Sequence, residues 1–419
     1  MLLEFRVENF RSFRDQQVFS MIPDEGKQEF ESNTLEVTDK YRILKSAIVY
    51  GANASGKSNF MKALQALRNL VLNSANLEPD KAFEEYVPFQ FNSRTASAPT
   101  VFELDFLIEA VRYNYHISIL KNQVVEEKLL FYPEGRESKL FVRKGMQFEF
   151  GDYLKGQKVV VSKLTGQNQL FLSKAARNNI AQLEEVYRFF AKDFMAVPFL
   201  DSWTDSYYVD RIAQELINTK SNELYINNFK RLLQSFDTGI LDFNIEETNA
   251  PIFFNEKYKI TTQHAHFNDA GQPAGSDFYP IEEESMGTQK LFVLGGLILR
   301  ALMNGRVIMI DEFERSLHPL ISSYLIQLFH DSKINTRGAQ LIIASHDSNL
   351  LSSIEYRRDQ IWIVEKGKTG ASELFSLADL TGVLKGAPYE KWYLSGRLGG
   401  IPSVKSLDFE LKYAANEKK

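Results

Sequence analysis

Residues 46–60 read SAIVYGANASGKSNF. Gly51, Gly56, Lys57 and Ser58 fall at the spacing G-x-x-x-x-G-K-[ST], a set of residue types suited to a chain of phosphates. Glycines let the loop take positive φ and turn its N–H groups onto phosphate oxygens. Lys57 would reach the β- and γ-phosphates, and Ser58 would bind Mg²⁺. Residues 47–50 are a short apolar run, which predicts a buried strand, while Phe60, Leu64, Leu67, Leu70 and Val71 recur at mostly three- and four-residue steps, which predicts a helix. The phosphates would then sit on a helix N-terminus, where the macrodipole favours anions. The bland alternative is a chance glycine turn, and the strand–loop–helix context argues against it.

Three later stretches complete a chemical set. RVIMIDE, 306–312, is an apolar strand ending in two carboxylates. Asp311 is placed to hold Mg²⁺, and Glu312 to polarise an attacking water as a general base. Alone, the stretch would equally suit a buried strand ending in solvated acids. ESMGTQK, 284–290, precedes a long apolar run and predicts a turn at Ser285 and Gly287 that opens a second helix. QLIIASH, 340–346, predicts another buried strand, with His346 where a sensor of the γ-phosphate would fall.

The order Gly-Lys-Ser loop, S-x-G-x-Q, D-E strand, S-H strand resembles the ABC-type ATPase heads of the RecF and SMC class. The loop itself, GANASGKSN at 51–59, is similar to that class's Walker A, and ENFRSF at 8–13 to its first strand turn. The resemblance implies an α/β fold, ATP and Mg²⁺ as cofactors, and a sandwich of two subunits around the nucleotide. It implies nucleotide contacts from Asn53, Ser55, Gly56, Lys57, Ser58, Asn59 and Arg11, with Ser285 and Gly287 acting in trans. Asp311 and Ser58 would hold the metal, Glu312 and Lys57 would be catalytic, and His346 would read the γ-phosphate. FERSLHP, 313–319, would be the D-loop along the dimer seam. Gln90 is the candidate Q-loop glutamine toward the metal, and an ordinary turn glutamine is the alternative. The signature departs from L-S-G-G-Q: Met286 replaces the first glycine and Thr288 the glutamine, a shape found in the RecF-like branch.

The elements that must position these residues divide the chain as 1–172, an ATPase lobe with a β-rich part; 173–238, a compact helical insertion; and 239–419, a lobe with signature, Walker B, D-loop and His346. Strands are expected over most of 100–172, including residues 158–161, from period-two alternation and aromatic content. The middle holds no sustained heptad repeat, so it is no long coiled coil. Phe189, Phe190, Phe194 and Trp203 read as core aromatics. No run approaches the roughly 18 apolar residues of a membrane helix. The early charges at the N-terminus argue against a signal peptide, and the chain has no cysteine, so the expectation is a cytoplasmic protein. A net charge of −5 gives no global basic footprint for nucleic acid. His264, His266 and Asp269 are weak as a metal site, and Asn416 to Lys419 read as a frayed end.

About 55 residues follow the strand at 360–364 without a D-x-D, so no nuclease is expected in this chain. WYLSGRLGGIP, 392–402, resembles the C-terminal signature of stand-alone OLD/RecF-like ATPases of prokaryotic phage-defence loci, the RloA, PARIS AriA and Septu PtuA type. That resemblance implies a homodimer or an assembly of dimers controlling a separate effector, a nuclease for preference. The alternative is a RecF-like ATPase on DNA, with basic content at 139–144 and 230–231 serving phosphates. A P-loop kinase needs neither the S-x-G-x-Q turn nor the D-E pair, and a scaffold that binds ATP with little turnover is the fourth reading.

Overall fold

A computed structural model describes residues 1–24, 30–197, 206–217, 223–236, 238–248 and 258–402. Trp203 and Asn416 to Lys419 lie outside these residues. In chain order, β1 (Leu2–Glu8), β2 (Gln17–Ser20), and the ribbon of β3 (Thr34–Thr38) and β4 (Tyr41–Leu44) lead into β5 (Ser46–Tyr50), the phosphate-type loop and α1 (Lys57–Asn73). Next come β6 (Thr100–Ile108), β7 (Val111–Leu120), β8 (Gln123–Tyr132), β9 (Ser138–Lys144) and β10 (Gln147–Phe150). They join β1 and β2 in an antiparallel sheet of order β10-β9-β8-β7-β6-β1-β2.

Helices α2 (Lys158–Lys163), α3 (Phe171–Ala176) and α4 (Ala181–Arg188) follow, then β11 (Phe194–Val197), α5 (Ser206–Ile217) and α6 (Glu223–Gln234). A three-stranded antiparallel sheet of β12 (Ile240–Glu247), β13 (Tyr258–Phe267) and β14 (Pro273–Pro280) precedes α7 (Met286–Asn304). The remainder is β15 (Val307–Ile310), α8 (Pro319–His330), β16 (Gln340–Ala344), α9 (Leu350–Ser353), β17 (Ile361–Lys366), β18 (Ser372–Ser376) and α10 (Tyr389–Leu394).

The site is built on a six-stranded sheet of order β11-β15-β16-β5-β17-β18, parallel except for β18. Its central strands are apolar throughout because both faces are covered. Alternate residues serve two cores, as the period of two requires. Ala47 and Val49, Val307 and Met309, and Ile342 and Ala344 join the core that holds α1 and the seven-stranded sheet. Ile48 and Tyr50, Ile308 and Ile310, and Leu341 and Ile343 join the core that holds α7 and α8. The strand leading to His346 separates the Gly-Lys-Ser strand from the D-E strand, so all three C-terminal ends meet at one edge. This is the α/β ABC-type P-loop head expected from the sequence.

Three expectations change. Residues 158–161 form helix α2, not a strand. Only Val161 of the three valines is buried, Val159 and Val160 are exposed, and the Lys158 ammonium donates to Leu154 O at 2.6 Å. The β preference of a valine run is weak against such local contacts. Second, residues 173–238 are not one helical arm. Ala175, Leu183, Phe189 and Phe190 lie in the same core as Leu129 and Phe141 of the seven-stranded sheet, and β11 is an edge strand of the six-stranded sheet. Among the described elements of 173–238, α5 and α6 are the ones that pack on α7: Ile212 and Leu232 fill the space where a side chain at Gly296 or Gly295 would stand. Third, α7 has the length and mean hydropathy of a membrane span, 19 residues at 1.2. It is the central helix of the second core, covered by α5, α6 and the sheet.

Candidate nucleotide site

The loop between β5 and α1 is possible only with its glycines. Gly51 has φ of 157° and Gly56 of 124°. A Cβ on Gly51 would strike Val364 O, and one on Gly56 would lie 2.6 Å from Ser372 Oγ and 2.9 Å from Ser12 Oγ. Gly56 is also the N-cap of α1 and offers no side-chain cap, so the first N–H groups of the helix remain available to an anion. Three distant segments brace this loop. Ser372 donates from Oγ to Ser55 O at 2.5 Å, across 317 positions of sequence, and from N to Ser12 O at 2.7 Å. Asn59 donates to Ser12 Oγ at 2.8 Å. Tyr393 donates from its hydroxyl to Gly400 O at 3.3 Å, and Gly400 lies against Gly51, where a Cβ would stand 3.3 Å from the Gly51 Cα.

Lys57 is buried, and its ammonium folds onto the loop, donating to Gly51 O at 2.7 Å and Ala52 O at 3.3 Å. His346 Nδ1 lies 3.4 Å from it. Burial brings the Lys57 pKa down to about 8 against the pull of Asp311, Glu314 and Glu312. Burial, then the neighbouring Lys57 charge, lowers His346, which keeps its imidazole neutral near pH 7. The His346 N–H donates to Glu314 Oε1 at 2.6 Å.

Ser58 faces Asp311 and Glu312 across a cavity of about 300 Å³, whose remaining walls include Met61, Lys62 and Gln65 of α1 and the end of β11. Glu312 takes the left-handed region at φ 48°, unusual for a residue with a Cβ. Its N–H donates to Asp311 Oδ1 at 3.1 Å, and its carbonyl accepts from Lys290 Nζ at 3.1 Å. Partial burial, and then Asp311, raises the Glu312 carboxyl above its ordinary range, the direction a general base needs. Ser285 caps α7 by accepting Thr288 N–H at 3.1 Å, and it is exposed. A Cβ at Gly287 would stand 2.8 Å from Ser316 O, so the signature turn and the D-loop of one chain touch.

The residues present fit a nucleotide triphosphate with a divalent cation. The loop offers uncapped N–H groups and a buried lysine, Ser55 Oγ is buried without a partner, and a hydroxyl faces two carboxylates.

Other expected residues fall elsewhere. Gln90 is exposed, and its amide donates to Pro88 O at 3.1 Å. Its neighbour Phe91 lies against Gly370 on the β17–β18 turn, and Gln90 is not among the residues lining the cavity of Ser58 and Asp311. Asn53 and Arg11 are exposed; Arg11 N–H donates to Val87 O at 2.7 Å, one residue before the Ser12 brace. Asn59 is tied to Ser12. His264 bonds Glu284 at 2.6 Å and His266 bonds the Tyr279 hydroxyl at 2.8 Å. Of the basic candidates, Arg143 is fully buried beside Glu127 at 3.6 Å, while Lys139 pairs with Glu149 and Lys230 with Asp242 nearer the surface. Sequence reasoning missed Glu314, Lys290, Ser12, Ser372 and Tyr393. Only Glu314 carried a local signal, as the third acid of D-E-F-E.

No curated protein matches the chain. Among solved structures it is similar to an Smc head bound to the C-winged helix domain of ScpA, at 14% identity and TM-score 0.49 over 93% of this chain and 99% of that one. It is also similar to the SMC head domain from Thermotoga maritima, at 12% identity and TM-score 0.40 over 90% and 98%. A third is an Smc head with an extended coiled coil bound to the C-terminal domain of ScpA derived from Pyrococcus furiosus, at 13% identity and TM-score 0.43 over 94% and 99%. The family described as "AAA domain, putative AbiEii toxin, Type IV TA system" matches residues 46–352, a span that runs from β5 past His346. With that span covering most of its length, the chain belongs to this AAA_21 family and carries its P-loop NTPase domain.

Proposed function

We propose that this protein is a Mg²⁺- and ATP-dependent ATPase that closes as a homodimer around ATP and thereby controls a separate effector, a nuclease, in anti-phage defence. The observation that carries the ATPase reading is the convergence of Lys57, Ser58, Asp311, Glu312 and His346 on one sheet edge. The defence role is supported by the family's description, which names a toxin–antitoxin system. A fold hosts many functions, so the effector rests on the C-terminal resemblance and the compact middle of the chain.

In this reading the uncapped N–H groups of α1 and Lys57 bind the phosphates, while Ser58 and Asp311 hold the metal. A bound Mg²⁺ would neutralise charge on the β- and γ-phosphates. Glu312 accepts a proton from the attacking water, and the neutral His346 senses the γ-phosphate. Ser285 and Gly287, on an exposed turn, meet the nucleotide of a second copy. The lobes 1–172 and 239–419 then act as one head, with α5 and α6 packed against the signature helix.

The test is a pull-down of tagged Glu312→Gln protein from its own host, with and without ATP and Mg²⁺, beside an ATPase assay of the wild type. An identified nuclease or other toxic effector captured only with ATP supports the defence switch. Recovery of DNA with repair proteins supports the RecF-like alternative. No ATP turnover by the wild type, alone or with the captured effector, overturns the ATPase reading.

A further inference from the structure

We infer that Glu314 is a positioning residue that fixes His346 over the phosphate-type loop. The inference rests on the ATPase reading for its consequence in turnover, but the contact itself stands on geometry.

His346 follows β16, and nothing in its own segment prescribes where its ring lies. Two contacts locate it. Its ring nitrogen is 3.4 Å from the Lys57 ammonium, a long approach. Its backbone N–H meets Glu314 Oε1 at 2.6 Å, a charge-assisted hydrogen bond and so the stronger of the two. Glu314 lies on the turn after β15, which Phe313 N–H ties to Ala344 O at 3.3 Å. A backbone bond and a carboxylate bond thus join the D-E turn to the His346 turn, one residue apart along the first segment and two along the second.

Glu314 commits one oxygen to this bond. Its other oxygen, Oε2, is buried with no hydrogen-bond partner. A buried acceptor of that kind is costly, and a purely structural clamp would not need it. Cationic groups offset it: Lys57 from α1 and Lys290 from α7 both feel the Glu314 charge, with Arg315 beside them and Asp311 and Glu312 opposing. The contact to His346 itself needs one acceptor oxygen. The chain length of Glu314 matters as well, because the N–H to be reached belongs to another loop.

The roles of length and acceptor can be separated. Glu314→Gln keeps the reach and one acceptor oxygen. Glu314→Asp keeps the charge and loses the reach. Glu314→Ala loses both. With ¹⁵N-histidine labelling, the protein's six histidines give an amide spectrum in which His346 is assigned by loss of its peak in His346→Gln. The expected result is a downfield His346 amide proton in wild type and Glu314→Gln that moves upfield in Glu314→Asp and Glu314→Ala. ATP affinity measured by calorimetry should hold in all three variants. Turnover should fall by roughly tenfold to hundredfold in Glu314→Asp and Glu314→Ala, the effect of a misplaced catalytic group, and stay within about threefold of wild type in Glu314→Gln. An unmoved His346 amide in Glu314→Ala, or wild-type turnover in Glu314→Asp, would overturn the inference. A wild type without ATP turnover sinks the ATPase reading instead, and the amide spectrum still judges the contact.

Discussion

At the scale of single residues, the side chains of the site are set by environment more than by type. Two neighbouring carboxylates, Asp311 and Glu312, leave the same strand with different settings. Glu312 stands on a left-handed backbone, which the Lys290 bond to its carbonyl supports, and its carboxyl is pushed up by burial and by Asp311. A general base held in this way contributes about 10²–10⁴ in rate. Glu312→Gln should therefore keep ATP affinity and lose hydrolysis by about that factor, as read by phosphate release beside calorimetric binding. Wild-type turnover in this variant would remove Glu312 as the base. The cluster Lys57, His346 and Glu314 makes a related point. The neutral state of His346 follows from burial and from the lysine 3.4 Å away, so its place in the fold decides which proton it holds.

At the scale of elements, the phosphate-type loop depends on segments far from it in sequence. The α10 residue Tyr393 lies against Tyr50, 5.3 Å between ring centroids, and its hydroxyl donates to the carbonyl of Gly400, which abuts the first loop glycine. Removing that hydroxyl takes a donor from the buried Gly400 carbonyl, at a cost of about 1–3 kcal/mol. Tyr393→Phe should lower the melting temperature and weaken ATP binding together, measured by thermal denaturation and calorimetry on one preparation. A drop in melting temperature without weaker binding would mean that α10 supports the fold and not the loop.

A second element-scale case is the end of α8. His330 is buried with Nε2 bonded to Ser46 Oγ at 2.7 Å, and its pKa is brought down to about 3 by burial and then by Lys45. A helix C-terminus favours a cationic histidine, but that effect is worth at most about 2 kcal/mol and loses here to burial and Lys45. Below its ordinary value of 6.5 the unfolded chain takes up this proton and the folded chain does not, until about pH 3. Stability from His330 is thus complete above 6.5 and is lost as the pH falls through that window. His330→Gln should flatten the dependence of the urea midpoint on pH in the window. An unchanged slope would show that His330 is not the group responsible.

For the whole molecule, the question is whether one chain holds a complete site. Ser285 and Gly287 lie on an exposed turn, beside exposed Met286 and against the D-loop carbonyl of Ser316. A trans arrangement predicts that Ser285→Arg blocks turnover while leaving ATP binding to the monomer intact. Lys57→Ala should lose tight binding, since a charge-assisted contact to phosphate goes. Mixing the two inactive proteins should restore part of the activity, because one composite site is then free of both changes. Full activity of Ser285→Arg alone, or no recovery on mixing, would place the signature outside the site.

Much of the site was legible because its signals are local. Glycines at fixed offsets before a lysine, and apolar runs ending in D-E or S-H, name both the element and the group at its end, and two-faced burial makes those strands apolar throughout. The sequence alone therefore determined the α/β class, the phosphate-type loop, the carboxylate pair, the capped signature helix and His346. The valines of α2 were misjudged because intrinsic β preference says little about which neighbours a segment meets. Tertiary structure decided the rest: β11 beside the D-E strand, Ser12 and Ser372 on the loop, Tyr393 on the Gly400 carbonyl beside it, and Glu314 on the His346 N–H. The physical reason is that each of these is one hydrogen bond or one strand pairing between distant segments. Such a contact imposes no spacing on the sequence that makes it.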